Sequence, residues 1–220
     1  MPIPITPHGT RELIAISVLC GLLAWGLALV AWPLVLIPTA LWLFAVSFFR
    51  DPERKPPADP QVMVSPADGT VADIVELPGT ELLSEPCVRV GIFLSVLNVH
   101  VNRCPWSAKV VGLKHQPGEF LDARHPEVSK RNEAQEIRLE AGFPFVVRQV
   151  AGLIARRIVC PLVVGQSLGR GERMGMIKFG SRTELIVPLR LQPTVLVKVG
   201  DTVCGTSTPL IRLPANATSA

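Results

Sequence analysis

Few residues in this chain have the type and setting to do chemistry, and the first is a serine. Ser181 directly follows a glycine in the strand-like apolar run Gly175-Met176-Ile177-Lys178-Phe179-Gly180-Ser181-Arg182, with Leu185-Ile186-Val187 just beyond in a separate segment. A hydroxyl placed there can reach its own preceding carbonyl. Attack of the Ser181 hydroxyl on the Gly180 carbonyl gives an ester, and elimination leaves dehydroalanine, which hydrolyses to a pyruvoyl group. Glycine suits the position before the serine, because the attack needs close approach and an unusual backbone geometry. An isolated Gly-Ser pair more commonly marks a turn. A nucleophile elbow is excluded, since G-x-S-x-G needs glycines where Phe179 and Thr183 stand.

His100, in Val99-His100-Val101-Asn102-Arg103, is the second candidate. Imidazole moves protons near neutral pH, which both ester chemistry and protonation of a carbanion require. Asp68, in Ser65-Pro66-Ala67-Asp68-Gly69, is accounted for by turn propensity alone. His8, His115 and His125 receive no assignment, although His115 precedes Pro117-Gly118 and could line a site. No ligand cluster supports a metal, no glycine-rich loop supports a nucleotide, and no lysine is placed for pyridoxal phosphate.

The elements that must position these residues follow from composition. The chain has 220 residues, enough for one ordinary domain and an appendage. Hydrophobic residues make up 48% of it, and the excess is concentrated at one end: the 37 residues from Leu13 to Phe49 contain no charged side chain and no histidine. That is too long for one bilayer span of about 20 residues and suits two short ones. Trp32-Pro33 breaks the stretch near its middle, so a helical hairpin is expected, Leu13 to Ala31 going in and Leu34 to Phe49 returning, with Trp32 at an interface. Whether it crosses the bilayer or lies in one leaflet stays open. A secretory signal would have a shorter apolar core and a small-residue cleavage site. Arg11 before the stretch and Arg50, Arg54 and Lys55 after it put both ends on the cytoplasmic side.

Residues 1–50 are thus expected to form the membrane-associated hairpin and residues 51–61, rich in proline, a stiff extended linker. Residues 62–213 read as mainly β: short apolar segments alternate with turns at Asp68-Gly69, Pro78-Gly79, Pro117-Gly118 and Gly200-Asp201. The polar stretch 119–140 is expected to be a long loop or short helix, a candidate lid. Strand-turn-strand units at 65–71 and 197–203 look like the halves of a barrel-sandwich hybrid, the fold of lipoyl and biotinyl carriers. Residues 214–220 should be a disordered tail. The five cysteines are odd in number and widely spaced, which argues against a disulfide framework and suits small buried hydrophobes in a reducing compartment. The net charge of +4 fits an anionic membrane surface, and the scattered Lys and Arg argue against nucleic acid.

Three motifs in order carry a resemblance. Gly171 to Arg182 closely resembles the processing segment of short-form phosphatidylserine decarboxylases; Ser65 to Gly69 and Phe93 to Pro105 look like two further motifs of that family. With Pro117-Gly118 and Asn132-Glu133, the resemblance covers roughly residues 60–205. It implies a proenzyme cut at Gly180-Ser181 into a β chain, 1–180, and an α chain, 181–220, which form a heterodimer, with Ser181 converted to the covalent pyruvoyl cofactor. It implies decarboxylation of phosphatidylserine to phosphatidylethanolamine through a Schiff base, with His100 as proton donor and Asp68 as the acid member of a triad with Ser181. Long-form members have a second histidine three residues after the first, attributed to self-cleavage, and this chain has Arg103 there. His100 serving both reactions and Asp68 acting more directly therefore both stay open. Asn132-Glu133 continues with Ala134 rather than the usual arginine. The alternatives are a membrane-tethered barrel-sandwich carrier without catalysis and a pyruvoyl enzyme acting on a free amino acid; the latter would not need residues 13–49.

Overall fold

The computed structural model describes residues 4–79, 81, 83–153, 157–178 and 180–215. They fall into two compact units, Met1–Glu53 and Arg54–Ala220.

In the first unit a 3-10 turn, Pro7–Gly9, leads into α1 (Thr10–Ala28); a second turn, Trp32–Val35, reverses the chain into α2 (Leu36–Phe48). Pro33 and Pro38 fall in the first turns of their helices, where a missing N–H costs nothing. The Trp42 indole donates to Ser17 Oγ (2.9 Å), tying the two helices together. At the open end the backbone of Pro4–Thr6 meets Phe49–Asp51, with Thr6 N donating to Phe49 O (2.9 Å) and Asp51 N to Pro4 O (2.7 Å). Both ends of the hairpin therefore emerge together. Its surface is apolar all round: Leu19, Trp25 and Trp32 are each about two-thirds exposed or more, the pattern of a helix that needs a non-aqueous surround. The helices differ in reach. At 1.5 Å per residue, α1 is about 28 Å long and α2 about 20 Å, against a hydrocarbon core of about 30 Å. Among the described residues only the segment Pro7–Ala28 is long and apolar enough to cross.

The second unit is mainly β. Its strands in chain order are β1 (Val62–Val64), β2 (Gly69–Leu77), β3 (Cys87–Leu94), β4 (Val101–Arg103), β5 (Ala108–Gln116), β6 (Ala134–Glu140), β7 (Pro144–Ala151), β8 (Arg157–Val159), β9 (Ser167–Leu168), β10 (Arg173–Lys178), β11 (Ser181–Pro188), β12 (Thr194–Val195), β13 (Thr202–Val203) and β14 (Pro209–Arg212). Eight form one curled sheet in the order β13-β2-β3-β11-β7-β6-β5-β9; β1-β14-β12 and β4-β10-β8 form two small sheets. The two strand-turn-strand units expected from the sequence do lie side by side, Thr202 opposite Thr70 and Val203 opposite Gly69.

Strand β11 is central. Every residue from Ser181 to Pro188 is buried and pairs with β3 on one edge; Ser181 to Ile186 also pair with β7 on the other. Side chains alternate along it. Leu185 and Val187 enter the apolar core with Val90, Ile92, Val147 and Leu210. Arg182 and Glu184 face the other side. There Glu184 Oε1 accepts from Arg182 Nε (2.7 Å) and from the Ser129 hydroxyl, with Arg89 and Arg148 at 3.8 and 3.6 Å. Arg182 reaches on to Asp73 of β2 (2.6 Å). One buried network thus links β2, β3, β11 and β7. Burial opposes the Glu184 charge, but Arg182, Arg89 and Arg148 together outweigh it and hold the carboxyl below its ordinary range.

Two local expectations change. The stretch 119–140 is not one polar loop: it contains α3 (Val128–Arg131) and all of β6, whose Glu136 sits opposite Arg148 and Lys114 on the neighbouring strands. Cross-strand opposite charges make a charged strand stable where its own pattern reads as loop. The apolar segments read separately at 174–179 and 185–188 belong to β10 and β11, which lie in different sheets. Cys20, Cys87 and Cys104 are buried, whereas Cys204 is exposed in a turn. The tail expected over 214–220 lies, from Asn216 on, outside the described residues.

Removing residues 1–50 is expected to shift the protein from the membrane pellet to the soluble fraction on ultracentrifugation; persistence in the pellet would place the membrane contact elsewhere. Glu184→Gln should lower stability by about 3–5 kcal/mol at neutral pH, the cost of leaving buried charge unpaired. Because the folded-state pKa of Glu184 is depressed, its contribution is complete above the unfolded value of about 4.3 and is lost as pH falls through the lower folded value. Denaturation followed across that range should show a shallower acid dependence in the variant than in the parent.

Candidate functional site

Strand β10 ends at Lys178 in one sheet and β11 begins at Ser181 in another, so the chain changes sheets across Gly180. Gly180 has φ +54°, a left-handed conformation that glycine adopts without strain. Gly152, next to Ala151 on β7, leaves room for the Gly180 carbonyl oxygen; a Cβ there would strike it. Ser181 is fully buried between Leu94 of β3 and Ala151 of β7, and its Oγ has no hydrogen-bond partner among the described residues. Leaving a buried hydroxyl unmatched costs about 1–3 kcal/mol.

His100 is also fully buried, immediately before β4. Its carbonyl accepts from Ile177 N (3.2 Å), and Val101 stands opposite Met176. The imidazole-bearing segment therefore runs alongside the strand that leads into the Gly180-Ser181 bond. Asn102, two residues on, donates to Thr183 Oγ1 (2.9 Å) and accepts from Gln149 Nε2 (2.8 Å). All three are fully buried. Thr183 shares a face of β11 with Ser181, so this chain of hydrogen bonds pins the His100 segment to the serine's own strand. Asn102, Gln149 and Thr183 were not singled out from the sequence. The period of two along each strand was the available signal, since it puts Asn102 with His100 and Thr183 with Ser181.

Asp68 lies in the turn between β1 and β2. The sheet register carries Thr70 to Phe93 and Phe93 to Arg182, which puts the start of β2 level with the start of β11, two strands away. At about 4.8 Å per strand that is about 10 Å. The carboxylate binds Arg54 through both oxygens and also accepts from Gly205 N (2.8 Å). Arg54 is a further residue the sequence did not mark, because residues 51–61 read as spacer. That segment is bound: Arg170 donates to Pro57, Asp59 and Val62 carbonyls at 2.7–3.1 Å, and Arg212 pairs with Asp59 (3.0 Å).

Arg103 is buried and directs a guanidinium N–H at the Gly171 carbonyl (3.1 Å). Asn132 is fully buried and donates to Ala151 O (2.7 Å), opposite Ser181, while also bonding both backbone groups of Leu121. It anchors the 119–127 loop beside the serine. His115 is exposed on β5, three strands from β11, and His125 is exposed in that loop, accepting from Glu127 N.

A cavity of about 380 Å³ opens at Gly180, lined by Phe93, Val96, Ala123, Arg124 and Leu153. Its walls are largely apolar. Arg124 stands at its edge, 5.6 Å from the Phe93 ring centre, and its hydrogen bonds bring the Asp122 carboxyl down to about 2.

Residues 41–210 match the sequence profile of the phosphatidylserine decarboxylase family. The chain is 49% identical over 175 residues to a phosphatidylserine decarboxylase proenzyme of Pelobacter propionicus, covering 79% of this chain and 78% of that protein. A protein of the same name from Trichlorobacter lovleyi is 44% identical over 215 residues, 95% of this chain and 96% of the relative. Another, from Rhodopirellula baltica, is 41% identical over 215 residues, 96% and 88% of the two chains. With a profile match over most of its length and relatives of this similarity, the chain is an enzyme that belongs to the phosphatidylserine decarboxylase family.

Proposed function

We propose that the chain is a proenzyme that cuts itself between Gly180 and Ser181 and then decarboxylates phosphatidylserine to phosphatidylethanolamine and carbon dioxide. The observation that carries this is the buried Ser181 hydroxyl, without a hydrogen-bond partner among the described residues, directly after left-handed Gly180 at the crossing between two sheets.

The cut proceeds from residues of the chain. Ser181 Oγ adds to the Gly180 carbonyl carbon while its proton passes to a base. The carbon–nitrogen bond then breaks as the nitrogen gains a proton, leaving an ester. Loss of the residue 181 α-proton expels the Gly180 carboxylate and leaves dehydroalanine, which takes up water and releases ammonia. Residue 181 would then hold a pyruvoyl group at the blocked start of the 181–220 chain, supplying a carbonyl for the substrate amine and a sink for the electrons of the departing carboxylate.

His100 is the proton carrier in both reactions, because its segment is the one tied to β10 and β11. Asp68 orients rather than accepts: its oxygens already receive three donors from Arg54 and Gly205. The cut costs the fold little, since β11 keeps its ladders to β3 and β7. The cavity beside Gly180 suits a phospholipid, with apolar walls for the lipid end and a cation at the edge for its phosphate. The hairpin, with basic residues at both ends, favours the cell membrane with the catalytic unit on the cytoplasmic side.

Intact-mass analysis of the purified protein should give two chains divided at Gly180, the shorter with a blocked N-terminus, co-eluting under native conditions. One uncut chain with a free N-terminus would overturn the proposal. Ser181→Ala should stay uncut and release no carbon dioxide from phosphatidylserine vesicles. His100→Ala, assayed on whatever fraction is cut, should lose decarboxylation by at least about 100-fold, the usual scale of a lost general acid; normal turnover would remove His100 from that step.

A further inference from the structure

Arg54 is the first residue of the second compact unit, and its guanidinium meets the Asp68 carboxylate at two points. Nη1 meets Oδ1, Nη2 meets Oδ2 at 2.7 Å, and Nη1 also donates to Gly205 O at 3.0 Å. Gly205 N returns a bond to Asp68 Oδ1 at 2.8 Å. A Cβ on Gly205 would sit 3.3 Å from that same oxygen, so the closeness of the backbone is part of the arrangement. The side chains of Arg54 and Asp68 are only 15% and 10% exposed, which places the pair inside the protein rather than on a solvated rim.

We propose that Arg54 is a positioning residue for self-cleavage, holding the plane of the Asp68 carboxylate so that its one remaining acceptor direction stays fixed for the base that it orients. This rests on the roles given to Asp68 and His100 above. Three donors occupy three of the four acceptor directions of the carboxylate. Two parallel N–H bonds from one rigid guanidinium prevent the carboxylate from rotating. An acid held in this way can orient an imidazole and stabilise its charged form, as the acid of a serine triad does. A turn aspartate needs no such clamp. The clamp also joins residues 54 and 68 of the longer product chain to residue 205 of the shorter one. It makes the stretch just beyond the hairpin a working part of the processing site.

The test uses the full-length chain, made by cell-free synthesis so that the precursor can be followed, with the cleavage rate measured for wild type, Arg54→Ala, Arg54→Lys and Asp68→Asn. Arg54→Ala is expected to accumulate as folded, uncut precursor and to cut at least about tenfold more slowly, the cost of a misplaced group. Arg54→Lys should recover little, because an ammonium supplies one point charge and cannot fix a plane. Millimolar guanidinium ion should accelerate Arg54→Ala but neither wild type nor Asp68→Asn, an effect that a merely structural salt bridge would not produce. Wild-type cleavage by Arg54→Ala, or slow cleavage that tracks a fall in melting temperature without guanidinium rescue, would overturn the inference while a slow Asp68→Asn leaves the parent reading standing. Wild-type cleavage by Asp68→Asn would overturn the role of Asp68 and this inference together, and a wild-type chain that never cuts would overturn self-cleavage itself.

Discussion

The pairing of β11 along both its edges is the constraint on which the catalytic unit depends. A strand hydrogen-bonded to β3 and β7 and buried along its whole length has no freedom to slip, because a one-residue shift would exchange its two faces. One face carries Leu185 and Val187 into the apolar core. The other carries Arg182 and Glu184 into a network of buried charge. Exchanging them would put a carboxylate and a guanidinium among leucines and valines, which costs far more than any local preference could return. Ser181 is the first residue of that strand, so its position is set by the same two ladders.

What the ladders hold rigid, Gly180 lets bend. The chain arrives along β10 in a different sheet and must turn within two residues to join β11. A left-handed glycine makes the turn, and the carbonyl before Ser181 occupies the space left by the absent side chain of Gly152. The bond proposed to be cut is thus a junction between two separately anchored elements. Its loss leaves each element with its own partners: β10 with β4 and β8, and β11 with β3 and β7. The shorter product would also supply β12, β13 and β14, which are spread over two sheets. Such a fragment is interleaved with the longer one and is not a detachable tail.

The hairpin is ordered by a different logic. Its helices show apolar side chains on every face, and the polar groups that tie them together include an indole N–H, a serine hydroxyl and the backbone at the open end. Composition made its existence and its turn at Trp32-Pro33 plain. The unequal lengths of its two arms became visible only with the helix boundaries.

The bend at Gly180 before Ser181, the Asp-Gly turn at Asp68, the β-rich character of the second unit and the apolar hairpin were all legible in the sequence, because each depends on residue type and on neighbours within a few positions. The motifs around them indicated the family that the relatives then established. The bend between β10 and β11 was legible, but their membership of different sheets was not, since an apolar segment reads alike whichever sheet it joins. Nor was β6, whose Glu136 is matched by Arg148 and Lys114 and whose Glu140 is matched by Lys109 on adjacent strands. Arg54 read as part of a spacer because its partner carboxylate is on a later turn and its partner carbonyl is at residue 205. Asn102, Gln149 and Thr183 likewise meet from three strands in two sheets. Residue type and short-range pattern are enough to nominate groups for chemistry. Which groups surround them is decided by hydrogen bonds and ion pairs between residues far apart in the chain, and these exist only once the sheets have formed.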